Sequence, residues 1–146
     1  MNLDGLWHAL GELHPAIVHF PVALVITAFA AEMLVIVRKR GWYADAARFM
    51  IVAGAVTAVP AALAGLAAAS TEEIAPALAG AFAAHRAAGL VTPALAVLAA
   101  GLGESTRRSG QVWEQILYRV VLALAAAGAV VAAVAGGMLV HGEGGS

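Results

Sequence analysis

PAIVHFPVALVITAFAAEMLVIV, residues 15–37, is followed at once by Arg38-Lys39-Arg40-Gly41. A single charge, Glu32, interrupts this run. As a helix rising 1.5 Å per residue it would extend about 34 Å, enough for a hydrocarbon core of about 30 Å. No water-facing surface tolerates such a segment, so it reads as a membrane span. Three further runs of the same kind follow, at 46–69, 77–102 and 115–140. Ser70-Thr71-Glu72-Glu73 breaks the chain after the second, and Gly103-Glu104-Ser105-Thr106-Arg107-Arg108 after the third.

Composition agrees. The chain is 62% hydrophobic and 12% charged, with a mean hydropathy of +0.89, whereas a soluble domain carries about 25% charged residues. The expected fold is all-α: one domain over residues 1–146, a four-helix integral membrane bundle running up-down-up-down. The net charge of −1 and the lack of a basic stripe exclude nucleic acid as a partner. Cysteine is absent, which excludes disulfides, iron–sulfur clusters, thiolate zinc sites and covalently attached c-type haem. Residues ahead of the first run are acidic or neutral (Asp4, Glu12), and the run is too long for a signal core, so the first helix is expected to be retained.

Basic residues favour the cytoplasmic side. Arg38, Lys39, Arg40 and Arg48 flank the first connection, and Arg107, Arg108 and Arg119 flank the third. The N-terminus, the second connection and the C-terminal tail carry none, with Arg86 the exception just inside the third span. Both termini are therefore expected on the extracytoplasmic side. Trp42, Tyr43, Trp113 and Tyr118 then form an aromatic belt at the inner interface.

Ahead of the first span, Leu3, Leu6, Trp7, Leu10 and Leu13 recur at helical spacing, which predicts a short amphipathic helix lying in the outer interface. His8 on it reads as a solvated residue. Small residues form rows, Ala61-Gly65-Ala69 and Gly128-Ala132-Gly136, that suit close helix packing more simply than a functional motif. Pro60 and Pro93 predict kinks, and Pro21 a kink able to aim His19. No convincing internal repeat is visible, although each half places a histidine near the start of its first span.

His14, His19, His85 and His141 stand at span ends that the topology puts on one side of the membrane. Counting helical rise from the basic ends puts His19 and His85 at roughly 28 and 26 Å, with His141 near 33 Å and His14 slightly higher. The expected geometry is an inner pair, His19 with His85, beneath an outer pair, His14 with His141. His14 and His19 point about 140° apart on a continuous helix, but Pro15 suits a first helical position and would leave His14 as a cap-like residue. Intramembrane ionisable residues are functional hypotheses by default, and neutral imidazole is the commonest metal ligand. Imidazoles from facing helices hold haem or metals in bundle interiors, and Arg86 beside His85 suits a haem propionate. Against this stands the plainer reading that an interfacial histidine is only a hydrogen-bonding residue. Glu32, near the inner end, is expected to snorkel or to pair with an arginine.

The segment Leu13-His14-Pro15-Ala16-Ile17-Val18-His19-Phe20-Pro21-Val22-Ala23-Leu24 resembles the opening Leu-His-Pro-x-x-Val-His-Phe-Pro pattern of a bacterial inner-membrane family, a domain of unknown function. Gly136-Gly137-Met138-Leu139-Val140-His141-Gly142 is similar to that family's closing Gly-Gly-x-Leu-Val segment, with a tyrosine-containing dipeptide before the final His-Gly shortened here. The resemblance implies a four-helix domain of the inner (cytoplasmic) membrane that binds haem and accompanies electron-transfer proteins. Three functions are consistent with these readings. The first is a b-type haem electron-transfer domain with His19 and His85 as axial ligands, exchanging electrons with an extracytoplasmic partner or a quinone. The second is a copper or zinc protein using His14, His19, His85 and His141. The third is a small accessory subunit of a respiratory or photosynthetic membrane complex, since the small-residue rows invite a partner helix. No nucleophile–base pair or carboxylate dyad suggests an enzyme.

Overall fold

Asn2 starts the first helix: its side chain accepts from the Gly5 N–H at 3.0 Å, capping α1 (Leu3–Ile17). The computed structural model describes residues 2–71 and 73–142. Glu72, part of the expected second break, lies outside the described residues, as do residues 143–146 of the tail. After α1 come α2 (His19–Arg38), α3 (Gly41–Ala69), a 3₁₀ turn (Pro76–Leu78), α4 (Ala79–Ser109) and α5 (Val112–Gly142), with no strand among the described residues. Four stretches are long and apolar enough to cross a membrane: Leu3–Arg38, Gly41–Ala69, Pro76–Ser109 and Val112–Gly142.

Two local expectations are corrected. The polar run 103–108 stays helical, because Glu, Ser, Thr and Arg are tolerated in a helix. The stop comes at Gly110, whose N–H donates to Thr106 O at 2.9 Å and whose left-handed φ of 66° turns the following chain out of the helix. Pro15 lies inside α1 rather than opening a new helix, so His14 is a helical residue without a cap's freedom. The break falls instead at Val18, where Pro21 has no N–H to offer the Ile17 carbonyl. The expected short N-terminal helix is present as α1, with Leu3, Leu6, Trp7 and Leu13 exposed, and it packs on the end of α3. A Cβ on Gly11 would sit 2.9 Å from Ala68 N, and Trp7 Nε1 donates to Ser70 Oγ at 3.1 Å.

The bundle is a ring in which α2 packs on α3, α3 on α4, α4 on α5 and α5 back on α2. Its core is built largely from alanine (Ala28, Ala55, Ala96, Ala99, Ala125, Ala129) around Val25, Ile51 and Leu122. Larger side chains such as Phe49, Val56, Leu63, Leu124 and Val131 point outward. Lipid is as apolar as these side chains, so small residues go where helices must approach and bulky ones go to the acyl chains.

The two halves of the chain repeat each other 71 positions apart. α2 ends at Arg38 and α4 at Ser109; the left-handed caps are Lys39 and Gly110; α3 begins at Gly41 and α5 at Val112 (112 minus 41 is 71). Burial keeps the same register, with Val25 and Ala96, Ala28 and Ala99, Ile51 and Leu122, Ala58 and Ala129, and Ala64 and Ala135 all in the interior. Ion pairs cross between the halves in swapped fashion. Arg48 on α3 meets Glu104 on α4 at 2.8 Å, and Arg119 on α5 meets Glu32 on α2 at 2.8 Å. The sequence alone showed no convincing repeat, because most positions the halves share are alanines indistinguishable from helix composition.

Candidate functional site: a histidine cavity between the two halves

At the end of the bundle away from the two tight turns, a cavity of about 900 Å³ opens between α1, the start of α2, α3, α4 and α5. His14, His19, His85, His141 and Arg86 all line it, and His8 and Glu12 stand at the same wall. Its walls are otherwise mainly apolar, formed by residues such as Val22, Phe82, Leu90 and Leu139. A volume of this size lies in the upper part of the range for small-molecule and cofactor sites, roughly 300–1,000 Å³.

Within it the ring contact joins His14 to His85, with centroids 6.0 Å apart and planes inclined by 72°. This corrects the expected layering of His19 with His85 below His14 with His141. Rise counting assumed straight, separate helices, whereas α1 runs directly into α2 and brings His14 down onto α3. Each ring of the pair is anchored across a helix interface. His14 Nδ1 lies 3.1 Å from Ala61 O on α3, and His85 Nδ1 lies 2.8 Å from Ala132 O on α5. A carbonyl only accepts, so Nδ1 carries the hydrogen in both. In the neutral ring the lone pair then resides on Nε2, the arrangement by which ligand imidazoles are oriented.

The other two histidines are held differently. His19 Nδ1 donates to Pro15 O at 2.7 Å and His141 Nδ1 to Gly137 O at 2.8 Å, each one turn back along the same helical path and each exposed. His8 pairs with Glu12 at 3.4 Å on the open face of α1. Arg86 is exposed on the cavity wall and has no ion pair among the described residues. Among the described residues no three His, Asp or Glu side chains gather closely enough to hold a bare metal ion.

Sequence reasoning missed the carbonyls of Ala61 and Ala132 and the glycines one turn beyond them, Gly65 and Gly136. It had assigned both rows to packing. The rows do face neighbours inside the bundle: Gly128 lies against Thr92, Gly65 against His14 and Gly136 against His85. They are therefore used within this molecule and do not by themselves call for a partner helix. The signal that was available was the 71-residue spacing shared by His14/His85 and Gly65/Gly136.

No curated protein and no solved structure matches this chain. A family model does match, covering residues 11–144, which include all of α2 to α5 and three of the four candidate ligand histidines' helices in full. The chain belongs to that family, described as Predicted membrane protein (DUF2231).

Proposed function

We propose that the cavity binds a b-type haem and that the protein is a membrane electron-transfer domain. The observation that carries the reading is the His14–His85 pair: two imidazoles from different halves, 6.0 Å apart by centroid and each fixed through Nδ1 to a helix carbonyl. Two imidazoles sharing one metal through bonds of about 2 Å have centroids roughly 5–6.5 Å apart. The donor set also fits. A tetrapyrrole brings four nitrogens of its own and asks two ligands of the protein, whereas a bare copper or zinc ion asks three or more. The lack of a three-residue cluster among the described residues therefore favours haem over the copper or zinc alternative.

When bound, the group supplies one-electron chemistry. Here the protein residues orient and select. His14 and His85, in place of the expected pair His19 and His85, would hold the group. Arg86 offers a cation to a propionate at the rim, and His19 and His141 are rim residues. The apolar walls limit water, which helps set a reduction potential. Electrons would pass to an extracytoplasmic partner or a membrane quinone.

Orientation belongs to the same proposal: in a bacterial inner membrane the tight turns carrying Arg38, Lys39, Arg40, Arg107 and Arg108 would face the cytoplasm, and the cavity the outside. The test is expression with haem supply and purification in mild detergent. A Soret band is expected, lost in His14→Ala and in His85→Ala and kept in His19→Ala. A colourless wild-type protein that takes up no added hemin would end the reading.

A further inference from the structure

The two ring-to-carbonyl bonds follow one rule. In a helix the carbonyl of a residue points toward the residue four positions on, whose Cα–Cβ bond leans back over it. A side chain there shields the carbonyl from any group outside the helix. The acceptors are Ala61 and Ala132, and the residues four further on are Gly65 and Gly136. A Cβ at Gly65 would lie 2.9 Å from His14 Cε1 and 3.3 Å from its Nδ1. One at Gly136 would lie 3.0 Å from His85 Cε1 and 3.1 Å from its Nδ1. Alanine at either place would make the ring give way against its bond to the carbonyl.

Register separates this role from ordinary packing. Other glycines in α3 and α5 also allow close approach: Gly54 faces Val25, and Gly128 faces Thr92. Neither is repeated, since Ala125 stands 71 after Gly54 and Thr57 stands 71 before Gly128. Gly65 and Gly136 are the one glycine pair in the sequence that the register repeats, and His14 and His85 are the one histidine pair. Around the cavity the remaining polar groups are not repeated. Pro15 answers to Arg86, His19 to Leu90 and Ser70 to His141, each 71 apart. The centre is duplicated while the rim is not.

We propose that the site is one half-site used twice, consisting of a histidine, a carbonyl on the following helix and a glycine four residues beyond, with Gly65 and Gly136 as positioning residues for the two imidazoles. Each half sets its own ring in the Nδ1–H form and presents Nε2 as the ligand nitrogen. The role as ligands rests on the haem reading; the positioning of the rings does not.

The experiment therefore begins without haem. Wild-type protein labelled with ¹⁵N-histidine, in detergent and free of haem, is examined by long-range ¹H–¹⁵N correlation. Both His14 and His85 are expected as neutral Nδ1–H tautomers, a state that water does not favour. Gly65→Ala should shift only the His14 signals and Gly136→Ala only those of His85. Gly101→Ala, where a Cβ meets nothing within 4 Å, should shift neither. Finding either wild-type ring as the neutral Nε2–H tautomer overturns the proposal whether or not haem binds. Hemin titration then tests the link to function. Each of Gly65→Ala and Gly136→Ala is expected to weaken binding at least tenfold and by similar factors. Unchanged affinity in both variants, with the wild type binding, overturns the positioning role and leaves the haem reading standing. A wild type that binds no hemin overturns that reading while the tautomer result still decides the half-site.

Discussion

Glu32 sits 5% exposed between α2 and α5, and Arg119 Nε donates to it at 2.8 Å. Removing Glu32 would strand the Arg119 guanidinium, but that side chain is 29% accessible, so the cost falls below the roughly 3–5 kcal/mol of a fully buried pair. Glu32→Gln should still lower the unfolding midpoint in detergent. The counterpart pair is more open, with side chains 47% and 36% accessible for Arg48 and Glu104, so solvent screens it and Glu104→Gln should lower the midpoint much less. Equal losses measured by denaturant titration would refute this ranking. Much at this scale was legible. A carboxylate in an apolar run near basic turns needs an arginine, and the structure supplies Arg119. What the sequence could not show was which ring meets which, because rise along a helix gives depth but not azimuth. His14 meets His85 only because α1 is carried onto α3, and that depends on the contact of Gly11, one turn before His14, with Ala68.

That contact, Gly11 against Ala68, belongs to the scale of elements. An amphipathic stripe of Leu3, Leu6, Trp7, Leu10 and Leu13 looks the same whether the helix lies on lipid or on a neighbouring helix, so periodicity gave α1 its existence and not its dock. Small residues are the better indicator, since a Cβ on Gly11 would sit 2.9 Å from the Ala68 backbone. Gly11→Val should push α1 from α3 and pull His14 from Ala61 O. The expected result is a larger loss of hemin affinity, at least tenfold, than of thermal stability, because α2 to α5 keep their own contacts. Unchanged affinity in a folded Gly11→Val protein would show that α1 does not place His14. The end of α2 is legible from its basic run, whereas a polar run alone does not stop α4, because Glu, Ser, Thr and Arg all continue a helix. The run at 103–108 remained helical until Gly110.

For the whole molecule, four apolar runs separated by basic turns were enough to read the number of spans, and charge asymmetry gives a direction that labelling can check. Single cysteines at Glu73 and Arg107 should react from opposite sides of intact spheroplasts; reaction of both from outside would refute the topology, and reaction at Arg107 alone from outside would reverse it. The duplication was the larger feature and the less legible one. Its halves share a register of burial and caps, but only a few informative identities, among them His14/His85, Trp42/Trp113, Arg48/Arg119 and Gly65/Gly136. The consequence is a connectivity test. Six residues, 70–75, join the end of α3 to the 3₁₀ turn, and six also separate Gly142 from Leu3 if Ser146 is joined to Met1 (143–146 with 1 and 2). In a duplicated bundle the second connection is the counterpart of the first. A circular permutant beginning at Glu73 and ending at Thr71, with Ser146 fused to Met1 and Glu72 omitted, keeps both crossed ion pairs and both half-sites. Exposed connections between intact elements are where such cuts are tolerated. The permutant should insert with both new termini on the side where the original termini lay and give the parent's helical content by circular dichroism. Its His14 and His85 tautomers should match the parent's. A permutant that aggregates while one cut inside α3 does not would show that the two halves are not interchangeable in connection.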